Sequence, residues 1–171
     1  MSTYLRFTIP PRTALGLLTC VMVGGLAASV VSVLLIFILP GGHDSIDETL
    51  PGTGPIGQLI SEIVPIVWVA LFGGLGAGYW LVAAGQDRLK PAGLAVIGLV
   101  VLCMVYPILA SGTANPVWAI LGNLVTIVSA LFTAGVCWPR SRLGAVFPAL
   151  VVAWVGIATA GLVALAMGLT F

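Results

Sequence analysis

The sequence predicts an all-α integral membrane protein, a single bundle of five transmembrane helices with its amino terminus cytoplasmic, spanning all 171 residues as one domain. Three observations lead there. Hydrophobic residues make up 60% of the chain and charged ones 6%, with a mean hydropathy of +1.22, whereas a soluble domain carries about a quarter charged residues. Five apolar stretches are each long enough to cross about 30 Å of hydrocarbon at about 1.5 Å rise per helical residue. All six basic residues fall at alternate breaks between those stretches. In lipid every backbone N–H and C=O needs an internal partner, so stretches this long without strand alternation are helices.

The first stretch, near residues 13–39, follows Arg6 and Arg12. Its apolar run is too long for a signal-peptide core, and Ile38-Leu39-Pro40-Gly41 offers no small-residue cleavage pattern, so it is expected to be a helix. Pro40-Gly41-Gly42 stops it, and residues 40–56 form a loop that carries His43, Asp44, Asp47 and Glu48. One histidine among loop carboxylates is a weak metal set and reads as a solvated loop. The second helix is expected near 57–84 and ends at Gly85-Gln86-Asp87-Arg88-Leu89-Lys90-Pro91. The third runs near 91–111, up to Ser111-Gly112-Thr113-Ala114-Asn115-Pro116; the fourth near 116–138, up to Pro139-Arg140-Ser141-Arg142; the fifth near 143–169. Arg6, Arg12, Arg88, Lys90, Arg140 and Arg142 all fall on one side of this arrangement, the cytoplasmic side by the positive-inside rule in a bacterial inner membrane.

With no basic patch to neutralise phosphates, nucleic-acid binding is excluded. Cys20, Cys103 and Cys137 lie in or at the ends of spans without paired spacing and read as small apolar core residues. No Ser/His/Asp set, metal-ligand cluster or phosphate-cradling loop occurs, so no catalytic residue, metal or obligatory cofactor is expected and the protein is not read as an enzyme.

The second stretch is the most informative: residues 68–82 read WVALFGGLGAGYWLV. At about 100° per residue, Trp68, Phe72, Leu75 and Tyr79 share one face as an aromatic ridge. Gly73 and Gly76 lie to one side with Trp80, and Gly74 and Gly78 to the other. Such glycines let neighbouring helices approach closely; alternatively, rings beside notches wall a flat slot. Gly24, Ala28 and Ser32 in the first helix, and Gly156 and Ala160 in the fifth, read as packing seams of the same kind. On the fourth helix Asn123, Thr126, Ser129 and Thr133 occupy one sector and are expected to face the interior, the hydroxyls bonding back to their own helix. Glu62, a carboxylate one turn into the second helix, reads as solvated at the outer interface, with a proton or cation role as the alternative.

These residues support a resemblance. The run Trp68-x-x-Leu71-Phe72-x-x-x-Gly76-x-x-x-Trp80-Leu81-Val82 resembles the second-helix signature of the TspO/MBR family, the tryptophan-rich sensory proteins that include the translocator protein. Ser141-Arg142-Leu143 leading to Trp154-Val155-x-x-Ala158-Thr159 looks like the family's fifth-helix motif, and the Tyr106-Pro107 corner ending the third helix looks like its W-S-P. The resemblance covers roughly residues 57–169. The chain departs from the family at Leu50–Leu59, which lacks the family's tryptophans, at Leu102 and Val105, and at Ala160 and Leu162. The resemblance implies a cavity for a flat hydrophobic ligand, a porphyrin such as haem or a sterol-like molecule. Trp68 and Phe72 would form one wall, Trp154 with the small Ala158 another, Tyr106 would offer a hydroxyl, and the 40–56 loop would act as lid. It implies transport, sensing or regulation.

Other readings stay open. An accessory subunit packed against a larger respiratory or photosynthetic membrane complex predicts the same apolar helices and small-residue seams, and a small transporter would use Glu62 and Asn123. The direction of the Trp68–Tyr79 ridge separates the first two: inward rings around a void favour a ligand, outward rings a partner or lipid. Glycine-rich seams in excess of what one bundle must bury also point to a homodimer.

Overall fold

The computed structural model describes residues 10–38, 55–86, 90–111 and 116–167, except the side chains of 34–38, 55–62, 108–111, 116, 165 and 166. The described residues form five helices: α1 (Ala14–Ile38), α2 (Pro55–Ala83), α3 (Pro91–Ser111), α4 (Pro116–Cys137) and α5 (Arg142–Ala166). No strand occurs among the described residues. Four of the helices contain apolar windows long enough to cross a membrane, and α3 contributes the shorter apolar stretch Pro91–Pro107.

The helix starts follow from local chemistry. Pro55, Pro91 and Pro116 each occupy the first helical position, where the missing N–H costs nothing and the fixed φ suits the helix. The other two helices open on hydroxyl caps: Thr13 Oγ1 accepts from Gly16 N at 3.1 Å, and Ser141 Oγ accepts from Gly144 N at 3.0 Å, each satisfying one donor that the first turn leaves free. At the end of α2, Gly85 adopts a φ of 69°, the left-handed conformation that ends helices and that glycine takes without strain. Pro65, Pro107 and Pro148 lie inside α2, α3 and α5. The Tyr106-Pro107 corner expected to end the third helix therefore does not: α3 runs through Pro107 to Ser111, because neighbouring helices accommodate the freed carbonyl.

The helices pack in the ring order α1–α2–α5–α4–α3 and back to α1, with α2 also touching α3. The interior is small and partly polar while the surface is large and apolar. Ala28, Ala92, Ala130 and Ala145 are buried, together with Thr126, Thr133 and Asn123, whereas Leu18, Leu26, Ile66, Val128, Phe132 and Ile157 are exposed. Water would penalise so much contiguous exposed apolar surface; lipid does not, and small interior residues let the backbones close in. The chain is an integral membrane protein.

Pro55 and Ile56 of the expected 40–56 loop belong to α2. The rest of that loop, with His43, Asp44, Asp47 and Glu48 and its role as a lid, lies outside the described residues, as does the side chain of Glu62.

Candidate functional site

The ridge on α2 points into the bundle. Leu75 is fully buried and Phe72 is 2% exposed, while Trp68 and Tyr79 are partly buried against the same core. Trp68 meets Phe72 edge-on, with ring centroids 5.8 Å apart and planes at 67°, the arrangement that sets the positive edge of one ring on the negative face of the other. From α5, Trp154 packs on this core between the buried Val151 and Val155. Ala158, one turn further along α5, is exposed. Tyr106 of α3 lays its ring over Gly122 of α4 and donates its hydroxyl hydrogen to the Ala119 carbonyl at 2.7 Å. Its donor is thus committed to holding α3 on α4, and only the oxygen lone pairs remain for a further partner. Of the five residues singled out in the sequence, Trp68 and Phe72 are in contact and Trp154 shares their core. Tyr106 serves the α3–α4 seam, and Ala158 lies on the exposed side of α5.

The glycine notches at Gly76, Gly74 and Gly78 are occupied by neighbouring helices, while Gly73 and Gly74 also line an outer groove between α1 and α2. A methyl group on Gly76 would strike the Cys20 carbonyl oxygen, and one on Gly24 would strike the Phe72 carbonyl oxygen, so α1 and α2 meet backbone to backbone at two levels. On the other side, the Phe147 ring of α5 occupies the space that side chains at Gly74 and Gly78 would take, at 2.7 Å and 3.3 Å from where their Cβ atoms would stand. Of the two readings of these glycines, close helix approach is the one seen: α1 stands against Gly76 and Phe147 against Gly74 and Gly78, gaining dispersion contact. Phe147 was not singled out in the sequence, since a lone aromatic on an apolar helix carries no signal of what it packs on.

Three of the four polar residues of the α4 sector face inward as expected, while Ser129 is half-buried and lines the groove between α3 and α4. Thr126 is 1% exposed, Thr133 2% and Asn123 7%. Thr126 donates to Gly122 O at 2.9 Å, and Thr133 to Ser129 O at 2.8 Å and, more loosely, to Ala95 O of α3 at 3.4 Å. The same back-bonding holds Thr19, Ser29, Ser32 and Thr159 on their own helices. The Thr126 and Thr133 hydroxyl donors are thus already used, and no group of three or more metal-binding side chains occurs among the described residues. What such an interior offers a guest is ring stacking and dispersion.

Two further features were not visible in the sequence. The segment before α1 is tied to the end of α2: Trp80 Nε1 donates to Pro11 O at 3.0 Å and Gly85 N to Pro10 O at 3.4 Å. Two apolar grooves also run along the outside, one of about 570 Å³ between α1 and α2 and one of about 490 Å³ between α3 and α4; neither is lined by the five site residues.

No curated protein and no solved structure matches the chain. A family model does, over residues 53–167, from just before α2 through α5, the region that holds the inward tryptophans. With its five helices, its ring ridge on α2 and Trp154 on α5, the chain belongs to the TspO/MBR family.

Proposed function

We propose that the protein binds a flat hydrophobic ligand, a porphyrin such as haem or a sterol-like molecule, within the helical bundle, for transport, sensing or regulation rather than catalysis. The observation that supports this most is the inward ring ridge, where Trp68 stands edge-on to Phe72 while Trp154 approaches the same core from α5. Stacking on Trp68 and Trp154 would supply the affinity. The family match supports the same ligand class. We place the protein in a bacterial inner membrane with Arg12, Lys90, Arg140 and Arg142 on the cytoplasmic side.

The test is a titration of the purified protein in detergent with protoporphyrin and with haem, followed by tryptophan quenching and by the ligand's own absorbance. Saturation in the micromolar range is expected, with Trp68→Ala and Trp154→Ala each weakening affinity about tenfold, the equivalent of about 1.4 kcal/mol of lost stacking. Quenching that never saturates and is unchanged in both variants would overturn the ligand reading and favour an accessory subunit of a larger membrane complex.

A further inference from the structure

The groove between α3 and α4 runs toward the basic end of the bundle, its last lining residues on that side being Ala95 and Thr133. Gly98 and Leu102 of α3 and Val128, Ser129 and Phe132 of α4 line it. Val128 and Phe132 are 65% and 66% exposed, and a side chain added at Gly98 would meet nothing within 4 Å, so the groove is open to lipid. At its basic end the two helices are held together by Thr133 on the Ala95 carbonyl at 3.4 Å and by the Cys137 thiol on the Ala92 carbonyl at 4.0 Å. That pairing brings Lys90, just before α3, to the same edge as Trp138 and Arg140, just after α4. Arg142 completes the cluster, its guanidinium 5.7 Å from the centre of the Trp138 ring. Trp138 is 57% exposed, and both arginines are exposed. In the sequence this side of the bundle carries all six basic residues against one carboxylate, Asp87.

Here an apolar furrow leads up to concentrated positive charge beside an interfacial tryptophan. From Lys90 to the start of the groove at Ala95 is about 8 Å along the helix, and the furrow continues for about 10 Å to Leu102, at about 1.5 Å per residue. That is the layout of a glycerophospholipid: a phosphate among the cations, an acyl chain below it. We infer that the α3–α4 face holds one anionic phospholipid, its headgroup phosphate bound by Lys90, Arg140 and Arg142 and one chain lying in the groove over Gly98. Trp138, with Arg142 against its ring, sits at headgroup level as interfacial tryptophans do. Charge complementarity commits the site to an anionic lipid in preference to a zwitterionic one.

The experiment is native mass spectrometry of the full-length protein in mild detergent with equimolar dioleoyl-phosphatidylglycerol and dioleoyl-phosphatidylcholine. No porphyrin is present, so the outcome is independent of the tetrapyrrole reading. The first lipid retained is expected to be phosphatidylglycerol by about tenfold. Lys90→Gln and Arg142→Gln should each lower that ratio, and the Lys90→Gln/Arg140→Gln/Arg142→Gln variant should bring it to about one, while Arg12→Gln, at the other basic corner, leaves it unchanged. Gly98→Leu, which fills the groove, should lower retention of both lipids without altering their ratio, and excess inorganic phosphate should not displace the lipid. Equal retention of the two lipids by the parent, or a preference that survives the triple variant, overturns the site. Displacement by inorganic phosphate would show an anion site without a lipid chain, and an unchanged Gly98→Leu would overturn the groove's part.

Discussion

At Gly76 the difference between a hydrogen and a methyl group decides whether α1 and α2 can touch. A Cβ there has only the Cys20 backbone carbonyl to push against, and a carbonyl in a helix cannot step aside as a flexible side chain can. Gly76→Ala and Gly24→Ala are therefore expected to destabilise the bundle by about 1–3 kcal/mol each, the usual cost of overpacking. At Gly135 and Gly156 an added methyl meets nothing within 4 Å; Gly135→Ala and Gly156→Ala should be neutral or stabilising by about 0.5–1 kcal/mol, since alanine is the better helix former. Thermal unfolding of the four variants in detergent checks the ordering, and equal losses in all four would contradict it. The sequence placed Gly24, Gly76 and Gly156 in one class, small residues on apolar helices. What separates them is the partner across the gap, and spacing along a single helix carries no information about that.

Elements are joined at the basic end by a strap. Pro10 and Pro11 lie across the end of α2, held by the Gly85 amide and the Trp80 indole, with the Arg12 side chain against Gly85. Trp80→Phe keeps an aromatic ring and removes the 3.0 Å bond to Pro11. It should speed hydrogen exchange at the Gly85 amide several-fold while leaving exchange in the middle of α2 unchanged, because local opening of a terminal segment is separate from opening of the core. Unaltered exchange at Gly85 would mean that the proline segment is held by other contacts. The helices themselves were legible to within a few residues: Pro91 and Pro116 mark the starts of α3 and α4 and Gly85 the stop after α2, local signals read without knowing the neighbours, whereas the start at Pro55 and the Thr13 and Ser141 caps emerged only from the structure. The strap was not, because Trp80 in the sequence belongs equally to a lipid-facing aromatic, a ridge neighbour or a hydrogen-bond donor to a residue 69 positions away.

For the molecule as a whole, the proposed orientation, with the basic residues on the cytoplasmic side, makes a prediction about the carboxyl end. A fusion of alkaline phosphatase to the carboxyl end is expected to be active in the periplasm, and a green fluorescent protein fused at the same place to stay dark; the reverse result would invert the proposed orientation. The membrane class and the inward direction of Asn123, Thr126 and Thr133 could be read from composition and period. The candidate site was legible only in part: Trp68 and Phe72 were paired by their spacing of four, but that Tyr106 is spent on the Ala119 carbonyl and that Phe147 fills the Gly74–Gly78 notch depend on which helix stands next to which. The α1–α2 seam carries a further consequence, for how this chain can change. Its closest contacts are made by main-chain carbonyls against two missing side chains, so what α1 must specify at this seam is chiefly an absence, at Gly24 opposite the Phe72 carbonyl, while Gly76 of α2 supplies the other absence opposite the Cys20 carbonyl. On the lipid-facing side of that helix, where Leu15, Leu18, Met22 and Leu26 are exposed, many apolar residues would serve. Such a segment can drift far in spelling while its docking stays fixed, and the family match begins at residue 53, after α1 has ended.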